Sequence, residues 1–455
     1  MESGHTLSTY RKNACRTAHS ATVAPDLPVD GTHWPQVMWW RIGRQWLAIL
    51  ALTGIMLPAA LSMPVARAAV PLPGDDPFYA APTDLASHPN GTLLGSRTIA
   101  LLGLPIPVSA WQLRYRTTDS GEHPQLNVTT VLVPPLPWTG PRPVLSYQVP
   151  ENSLDTRCAP SFTLRGGRNT DIANTAQDMP FIAEALRRGW AVVVSDYEGP
   201  QSRLFDGVTS GRGVLDGIRA ARSFPPAGID TSSPIGAWGY SSGAFATLWA
   251  TQLRREYAPD VRFAGASAGG IPTDIPTMAQ RADGAVGAML ILLGLARNEP
   301  DSRLADLLND RGRRALLAAD TSACGADLAQ KYPDVHLDDF TAVPNLLAHP
   351  AFRSAATHNE LGGTAPDTPL YLYHSLTDEK IPVAGYTALV DAYCAQGATL
   401  TATHSQFPTH IGAAAGEAFG GMNFLADRFS GTPPAPGCVG RIPGVVATLP
   451  DSGGK

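Results

Sequence analysis

A five-residue segment, Gly239-Tyr240-Ser241-Ser242-Gly243, constrains the possible folds of this chain more than any other feature. It follows an apolar run at 235–238 that is typical of a buried strand, and it precedes a pattern at 243–257 that is typical of a helix. Glycines two positions either side of a serine suit a sharp strand-to-helix turn, because side chains there would collide with the adjoining strand or helix. The segment predicts a strand–turn–helix unit with Ser241 at its tip.

Strand-like and helix-like segments alternate around this unit. Apolar strand patterns occur at 111–117, 126–133, 143–147, 191–195, 235–238, 261–266, 370–373 and 400–403. Helical patterns occur at 176–188, 214–222, 243–257, 383–394 and 413–429. This order predicts an α/β fold with a mostly parallel central sheet. The long interval before the strand at 370–373 contains helical stretches at 286–295 and 304–317, which predict an inserted helical cap at about 271–368.

A serine at such a turn is a candidate nucleophile, but its hydroxyl needs a histidine base and a carboxylate that orients the histidine. In this fold the chain order is serine, acid, histidine. Asp378 follows the strand at 370–373 in a polar loop, and His410 lies in a short loop between a predicted strand and a predicted helix. The sequence therefore predicts Ser241, Asp378 and His410 as catalytic residues.

Other residues compete for these two roles. His404 lies at the end of a strand, where an ordinary packed or surface histidine is expected, and a base at His374 would break the chain order. We expect His374 to be satisfied by hydrogen bonds and Glu379 to be a solvated neighbour of Asp378. Asp196 and Glu198 follow a strand as a pair, and we expect them to brace neighbouring loops rather than to bind metal or cleave glycosides.

Acyl transfer also needs donors for an oxyanion. The backbone N–H of Ser242, the residue after the nucleophile, supplies one. The second must come from the loop at 148–153, and the residues alone leave open which position donates.

Composition and charge narrow the substrate class. The formal net charge is -5 and charged residues make up 16% of the chain, with no run of like charges, so no nucleic-acid footprint is expected. No Cys-x-x-Cys or clustered histidine pattern predicts a metal site. The charge balance favours a neutral or apolar substrate, and nothing in the sequence points to a stable protein partner.

The first 68 residues are expected to be a leader. Arg41 and Arg44 precede an apolar run at 46–61, and Ala66-Arg67-Ala68 provides a small-x-small cleavage pattern. We therefore expect a signal peptide at about 38–68, cleavage near Ala68-Ala69, a secreted mature domain at 69–455, and a translation start at either Met1 or Met38. Outside the leader four cysteines remain, at 158, 324, 394 and 438, an even number that allows three disulfide pairings in an exported protein.

Several segments together resemble one family. They are Ser146-Tyr147-Gln148-Val149, Cys158-Ala159-Pro160-Ser161, Ser195-Asp196-Tyr197-Glu198-Gly199, 215–220, 239–244 and Asp75-Asp76-Pro77-Phe78-Tyr79. With Asp378 and His410 they are similar to the secretory lipase family that includes yeast lipase A, over nearly the whole mature chain.

The resemblance implies an α/β-hydrolase core with a helical cap, and hydrolysis of triacylglycerols and simpler carboxylic esters without a cofactor. It implies the triad Ser241, Asp378 and His410, an oxyanion hole from Ser242 and Asn152, and the disulfides Cys158–Cys324 and Cys394–Cys438. Asn152 stands where the yeast-type motif has an aspartate, and Ser242 where it has a glycine.

The expected substrate is a lipid or ester, compatible with transient contact at a lipid interface. Apolar cap residues such as those at 289–293 are expected either to form much of the acyl site or to be the core of the cap. Two other functions stay open: an exported peptidase or acyltransferase on the same triad, and a catalytically silent hydrolase fold that acts as a binding module.

Overall fold

The computed structural model describes residues 69–103, 106–168, 172–317, 324–442 and 445–448. The predicted leader and its cleavage site lie outside these residues. None of the helices in the described ranges is long and apolar enough to cross a membrane.

Eleven strands of the described chain form one mixed sheet in the order β1-β2-β3-β5-β4-β6-β7-β8-β9-β10-β11. The six pairings from β5 to β10 are parallel, and the pairings at both ends are antiparallel. The strands are β1 (Leu93–Thr98), β2 (Ser109–Thr118), β3 (Pro124–Val133), β4 (Val144–Gln148), β5 (Ala191–Ser195), β6 (Ile235–Tyr240), β7 (Phe263–Gly269), β8 (Leu370–Ser375), β9 (Leu400–Ser405), β10 (Cys438–Ile442) and β11 (Val445–Thr448).

The α-helices of the described ranges are α1 (Pro160–Leu164), α2 (Ile172–Arg187), α3 (Gly207–Arg222), α4 (Ser242–Tyr257), α5 (Ile275–Arg281), α6 (Val286–Asn298), α7 (Asp310–Leu317), α8 (Gly325–Lys331), α9 (Pro350–Thr357), α10 (Val383–Ala395) and α11 (His410–Phe429). Helices α3, α4 and α10 pack through an apolar core against one face of the sheet. Helices α2 and α11 pack against the other face, where Trp238 is fully buried. Apolar residues on both faces explain the nearly continuous apolar runs of the central strands.

The segment between β7 and β8, which we call the helical insert (residues 270–369), contains α5 to α9 and has an apolar core of its own. Phe245 and Trp249 of α4 contribute to that core, so the insert packs directly on the helix that follows Ser241. The predicted helix at 304–317 is wrong in its first half, where a 3₁₀ turn at Leu304–Leu307 precedes α7. Asn309 interrupts the helix because its side-chain oxygen accepts from the N–H of Gly312.

The parallel strands bring the predicted site together. The carboxyl ends of β4, β6, β7, β8 and β9 lie along the same edge of the sheet, where Gln148 pairs with Gly239 and Tyr240 pairs with Gly269. The loops that leave this edge carry Asn152, Ser241 and Asp378, and the loop after β9 leads into His410 at the start of α11. A shared edge at the ends of parallel strands is the usual position of a site in open α/β sheets.

Candidate active site

Ser241 lies in a strained turn between β6 and α4. Its backbone has φ 55° and ψ −127°, a region that residues with a side chain rarely occupy. The N–H of Ser241 donates to the carbonyl oxygen of Gly269 at 2.9 Å, which fixes the turn to the end of β7. A Cβ atom at Gly239 would collide with the backbone of Gly243, and one at Gly243 would collide with the carbonyl of Gln148. Both glycines are therefore required by close packing, as the sequence predicts.

Asp378 and His410 form a buried hydrogen-bonded pair. The distance from His410 Nδ1 to Asp378 Oδ2 is 2.7 Å, and both side chains are almost fully buried. The other carboxylate oxygen, Oδ1, accepts from the backbone N–H groups of Lys380 and Ile381 at 2.9 and 2.8 Å. Burial alone would raise the pKa of Asp378, but the hydrogen bond and charge of His410 and the two N–H donors outweigh it and lower the pKa. The carboxylate is thereby kept ionised and aimed at the imidazole.

Three neighbours set the position of His410. Thr409 caps α11 by accepting from the N–H of Gly412 at 2.9 Å, so the helix begins at His410. The hydroxyl of Tyr240 donates to the carbonyl oxygen of His410 at 2.5 Å, and the two rings lie 4.9 Å apart. A Cβ atom at Gly270 would lie 2.9 Å from His410 Cε1, so the imidazole edge packs directly on the end of β7. Since Nδ1 is bound to Asp378, Nε2 is the ring nitrogen free to serve a reactant.

Glu379 makes a hydrogen bond that the sequence does not predict. Its side chain is exposed, yet Oε2 accepts from the backbone N–H of His410 at 2.8 Å. Glu379 is therefore a solvated neighbour, as expected, and it makes one further contact, because the first N–H groups of α11 lack partners within the helix and a nearby carboxylate can satisfy one. Glu379 contacts the backbone of His410, whereas Asp378 contacts its ring.

The two rival histidines lie outside this arrangement. His404 is half-buried in β9 and packs edge-on against Tyr386, in line with an ordinary packed histidine. His374 is buried and stacked on Tyr386, with Nε2 3.0 Å from the carbonyl oxygen of Ile381. The expectation that hydrogen bonds satisfy His374 is met at Nε2 but not at Nδ1, which has no partner among the described residues. Burial lowers the pKa of His374, so this ring stays neutral beside the Asp378 carboxylate.

The loop that carries Asn152 is held by a tyrosine that the sequence pattern does not single out. The hydroxyl of Tyr197 donates to the carbonyl oxygen of Val149 at 3.0 Å and accepts from the N–H of Glu151 at 3.0 Å. Tyr197 is fully buried just after β5, so a rigid side chain clamps both ends of the turn before Asn152. Asn152 itself is exposed and faces the same cavity as Ser241 and Ser242.

Three buried acids surround this loop. Burial raises the pKa of Glu151, Glu198 and Asp196, with mutual repulsion adding to the effect on Glu151, and the pKa of Asp196 rises to about 7. Asp196 contacts a helix rather than the neighbouring loop that the sequence predicts: it accepts from the backbone N–H of Ser161, in the first turn of α1, at 2.8 Å and from the Ser161 hydroxyl at 2.5 Å. One oxygen each of Glu151 and Glu198 has no hydrogen-bond partner in the described part of the chain. Within that part, no group of three or more His, Cys, Asp or Glu side chains could hold a metal ion.

A cavity of about 670 Å³ opens over the site. Its walls are mostly apolar and include Ser241, Ser242 and His410, together with Leu290 and Ile291 of the helical insert. The other residues of the apolar run at 289–293 belong to the core of the insert, so the run serves both purposes. The charged residues Arg281, Glu379 and Lys380 are exposed and stand at the opening. A predominantly apolar cavity with a few convergent polar groups is suited to an uncharged organic substrate.

Asp178 is a cavity residue that sequence reasoning did not find. It lies on α2 and is only 6% exposed, and the hydroxyl of Tyr147 donates to its Oδ1 at 2.9 Å. Burial raises its pKa to about 7. An isolated aspartate in a helical pattern gives no signal by itself, because its position in the cavity depends on how α2 packs against β4.

Two disulfides link distant parts of the described chain. Cys158 is bonded to Cys324 and Cys394 to Cys438, the pairs that the family resemblance implies. The first bond joins the segment that follows the Asn152 loop to the helical insert, where the next residue, Gly325, lines the cavity. The second joins α10 to β10.

The mostly parallel sheet, the strained serine between β6 and α4, and the order serine, acid, histidine define an α/β-hydrolase. Within that class, the secretory lipase family matches residues 165–437, and the chain belongs to this family. It is 35% identical to a protein described as a probable inactive lipase of Mycobacterium tuberculosis (strain CDC 1551 / Oshkosh), over 80% of this chain and 83% of that one. It is 31% identical to lipase A of Moesziomyces aphidis, over 83% and 85% of the two chains.

The fold is similar to a solved structure of the same family of lipases. The X-ray structure of Candida antarctica lipase A in its closed state superposes with a TM-score of 0.76 at 28% identity, covering 85% of this chain and 93% of that one. The α/β-hydrolase fold expected from the sequence is therefore confirmed.

Proposed function

We propose that this protein is a secreted serine lipase or carboxylesterase that hydrolyses triacylglycerols and simpler carboxylic esters through Ser241, His410 and Asp378. The observation that carries the proposal is the Asp378–His410 hydrogen bond of 2.7 Å, whose histidine faces the same apolar cavity as the strained Ser241. This is the arrangement that a nucleophile, a base and an orienting acid require for acyl transfer.

In the proposed reaction, His410 Nε2 takes the Ser241 proton as Ser241 Oγ attacks the ester carbonyl. The resulting oxyanion is stabilised by the N–H of Ser242, the first residue of α4, and by a donor at Asn152. The positive end of the α4 dipole favours negative charge at the same place. His410 then protonates the leaving alcohol, and water hydrolyses the acyl-enzyme by the reverse sequence. Asp378 holds the imidazole in its reactive tautomer throughout.

Exposed apolar side chains around the site support activity at a lipid surface. Leu376, Phe407 and Ile411 are 51%, 45% and 51% exposed and belong to the loops after β8 and β9 and to the first turn of α11. The two loops are tied together, because Ser375 Oγ donates to the carbonyl oxygen of Phe407 at 2.7 Å and Thr377 Oγ1 donates to that of Pro408 at 2.6 Å. Large exposed apolar residues held in fixed positions beside a site are typical of contact with a lipid phase.

Export is supported by the family and by the two disulfides, which persist in oxidising compartments. We propose that the leader at 1–68 directs secretion and is removed near Ala68-Ala69. A mature N-terminus at Ala69, read from the protein recovered outside the cells, would test this part of the proposal.

A catalytically silent binding protein is the second candidate, because one of the similar proteins is described as a probable inactive lipase. This chain retains Ser241, Asp378 and His410, whereas a silent hydrolase fold usually lacks one member of the triad. We therefore favour the enzyme.

The experiment is hydrolysis of nitrophenyl esters from acetate to palmitate by the secreted protein. Ser241→Ala is the test variant, and Ser223→Ala is the control, since Ser223 is an exposed serine at the end of α3. Activity that reaches long chains and is lost only in Ser241→Ala would establish a lipase, and activity on short chains alone would indicate an esterase. Folded protein without activity on any ester would favour the binding module or a peptidase.

A further inference from the structure

We infer that Asp178 is a substrate-specificity residue that binds a free hydroxyl group on the alcohol portion of the ester, so that the preferred substrates are esters of polyols that keep an unesterified hydroxyl. This inference rests on the proposed function. It deepens that function by naming the class of alcohol, for which partial glycerides are the simplest chemical example.

The carboxyl group of Asp178 has one fixed partner and one unused oxygen. Oδ1 accepts from the hydroxyl of Tyr147, while Oδ2 has no hydrogen-bond partner among the residues that the structure describes. Tyr147 is fully buried in β4 and stacked on Trp238 at 4.8 Å between ring centroids, so it cannot turn away. The carboxyl group is therefore fixed in the cavity wall with one oxygen left to a ligand.

The surroundings make this oxygen suited to a neutral partner. Asp178 forms no ion pair within the described ranges, and the charged residues of the cavity stand at its exposed opening. Burial and the missing countercharge raise the pKa of Asp178 to about 7, so near neutral pH the group exists in both protonation states. Either state can form a hydrogen bond with a hydroxyl group, which is both donor and acceptor. A buried polar group that gains its partner only from the substrate can discriminate strongly between substrates with and without that partner.

The position of Asp178 indicates which half of the ester it meets. Asp178 and Phe181 lie one turn apart on α2, and α2 packs on the same face of the sheet as α11, whose first turns supply His410, Ile411 and Ala414 to the same cavity. His410 protonates the leaving alcohol in the proposed reaction, so the alcohol must lie beside it. The apolar lining residues Leu204, Phe205, Met278, Val286, Leu290 and Ile291 instead belong to the apolar core of the helical insert or pack against it, and they offer an apolar surface for an acyl chain.

The test compares kcat/KM for two esters of the same acid, 1-monobutyrin and propyl butyrate, whose alcohols differ in two hydroxyl groups. The variants are Asp178→Leu, which removes the hydrogen-bonding group, and Asp178→Asn, which keeps the acceptor for Tyr147. Glu184→Gln is the control, because Glu184 lies on the same helix but is paired with Arg187 and Arg188 outside the cavity. Circular dichroism confirms folding, and Asp178→Asn keeps the test valid if the leucine variant does not fold.

We expect Asp178→Leu to lower the ratio of kcat/KM for monobutyrin to that for propyl butyrate by about 10-fold or more. Asp178→Asn should lower it less, and Glu184→Gln should leave it unchanged. An unchanged ratio in the folded Asp178 variants would overturn the inference. A second pair of esters, nitrophenyl 3-hydroxybutyrate and nitrophenyl butyrate, differs by a hydroxyl group in the acyl portion. If the variants changed the kcat/KM ratio of this second pair only, the hydroxyl group would bind in the acyl portion and the inference would also be overturned. If the unmodified enzyme hydrolysed none of these esters, the proposed function would fail and the inference with it.

Discussion

The hydroxyl of Tyr240 donates a hydrogen bond to the carbonyl oxygen of His410, although 170 positions separate the two residues in the chain. Tyr240 is the residue directly before Ser241, so this bond ties the end of β6 to the start of α11. The relative position of Ser241 and His410 therefore depends on the Tyr240 side chain as well as on the sheet.

Replacing Tyr240 by phenylalanine is expected to lower kcat on a short nitrophenyl ester by about 2- to 10-fold, the equivalent of one net hydrogen bond. The control is Tyr393→Phe, which removes a buried hydroxyl of α10 that donates to Gln252 of α4. Steady-state kinetics of both variants, with the melting temperature measured in parallel, separates positioning from stability. Equal losses of kcat in the two variants would contradict a positioning role for Tyr240.

Asp378→Asn and Glu379→Gln form a matched pair at adjacent positions. Asp378 orients the His410 ring, so its replacement should lower kcat by about 10⁴-fold, with the fold retained. Glu379 only accepts from the backbone N–H of His410, and the neutral amide can still accept, so its replacement should lower kcat by about 3-fold or less. The measurement is kcat for ester hydrolysis by both variants. A larger loss of kcat in Glu379→Gln than in Asp378→Asn would identify Glu379, and not Asp378, as the acid of the triad.

Tyr197→Phe removes the hydroxyl that clamps the loop before Asn152. The loss should lower kcat by about 3- to 30-fold, because a loosened loop positions its oxyanion donor less well, while KM changes little. Tyr115→Phe is a suitable control, since that buried hydroxyl bonds the carbonyl of Gly213 away from the cavity. A rise in KM at constant kcat would show that Tyr197 supports substrate binding instead.

Burial of Asp178 makes its carboxyl group unfavourable for stability at neutral pH. A pKa raised from 3.8 to about 7 means that the folded protein holds the proton more tightly than the unfolded chain does. The contribution of Asp178 to the free energy of unfolding is greatest below about pH 4. It falls as the pH rises from about 4 to about 7, and it does not recover at higher pH. The stability of Asp178→Asn relative to the natural protein should therefore be greater at pH 8 than at pH 5, by at most about 3 kcal/mol, because the loss between these two pH values accumulates over about two pH units. Urea unfolding of both proteins at pH 5 and pH 8 measures this change, and the same difference in unfolding free energy at the two pH values would refute it.

The two disulfides allow a comparison within one chain. Cys158→Ser/Cys324→Ser and Cys394→Ser/Cys438→Ser should each lower the free energy of unfolding by about 2–5 kcal/mol. Only the first pair should also lower kcat, because that bond joins the segment after Asn152 to the helical insert. Unfolding curves and ester kinetics on both double variants check this, and a loss of kcat in the second pair alone would contradict it.

The parts of the fold that depend on local pattern could be predicted from the sequence. Every strand from β2 to β9 shows an apolar run, and the glycines around Ser241 mark the turn because close packing excludes a side chain there. The sequence does not predict β1, β10 and β11. β1 and β11 are the edge strands of the sheet and β10 lies between β9 and β11, and the pairing of these outer strands is set by their neighbours rather than by their own residues. The family resemblance added the cysteine pairs, which spacing alone left open.

The support around the site could not be predicted in the same way. Tyr197, Tyr240 and Asp178 contact residues 31 to 170 positions away. Tyr197 and Tyr240 lie within segments that carry the family resemblance, but those segments do not indicate which groups their hydroxyls bind. The side chain of Glu379 is exposed, as expected, and the sequence does not reveal its bond to a helix N-terminus. The roles of Ser241, Asp378, His410, Ser242 and Asn152 stay predictions that the variants above test.

Whether the Cys158–Cys324 disulfide forms depends on the cellular compartment in which the protein folds. Chain segments on both sides of the cavity are joined only after two thiols have been oxidised, and reducing compartments such as the cytosol do not sustain that oxidation. A copy retained in the cytosol would therefore lack this disulfide. The two segments would be covalently joined only in a protein that had been exported. For the lipase that we propose, this dependence on oxidative folding would keep the complete site away from the lipids of the producing cell.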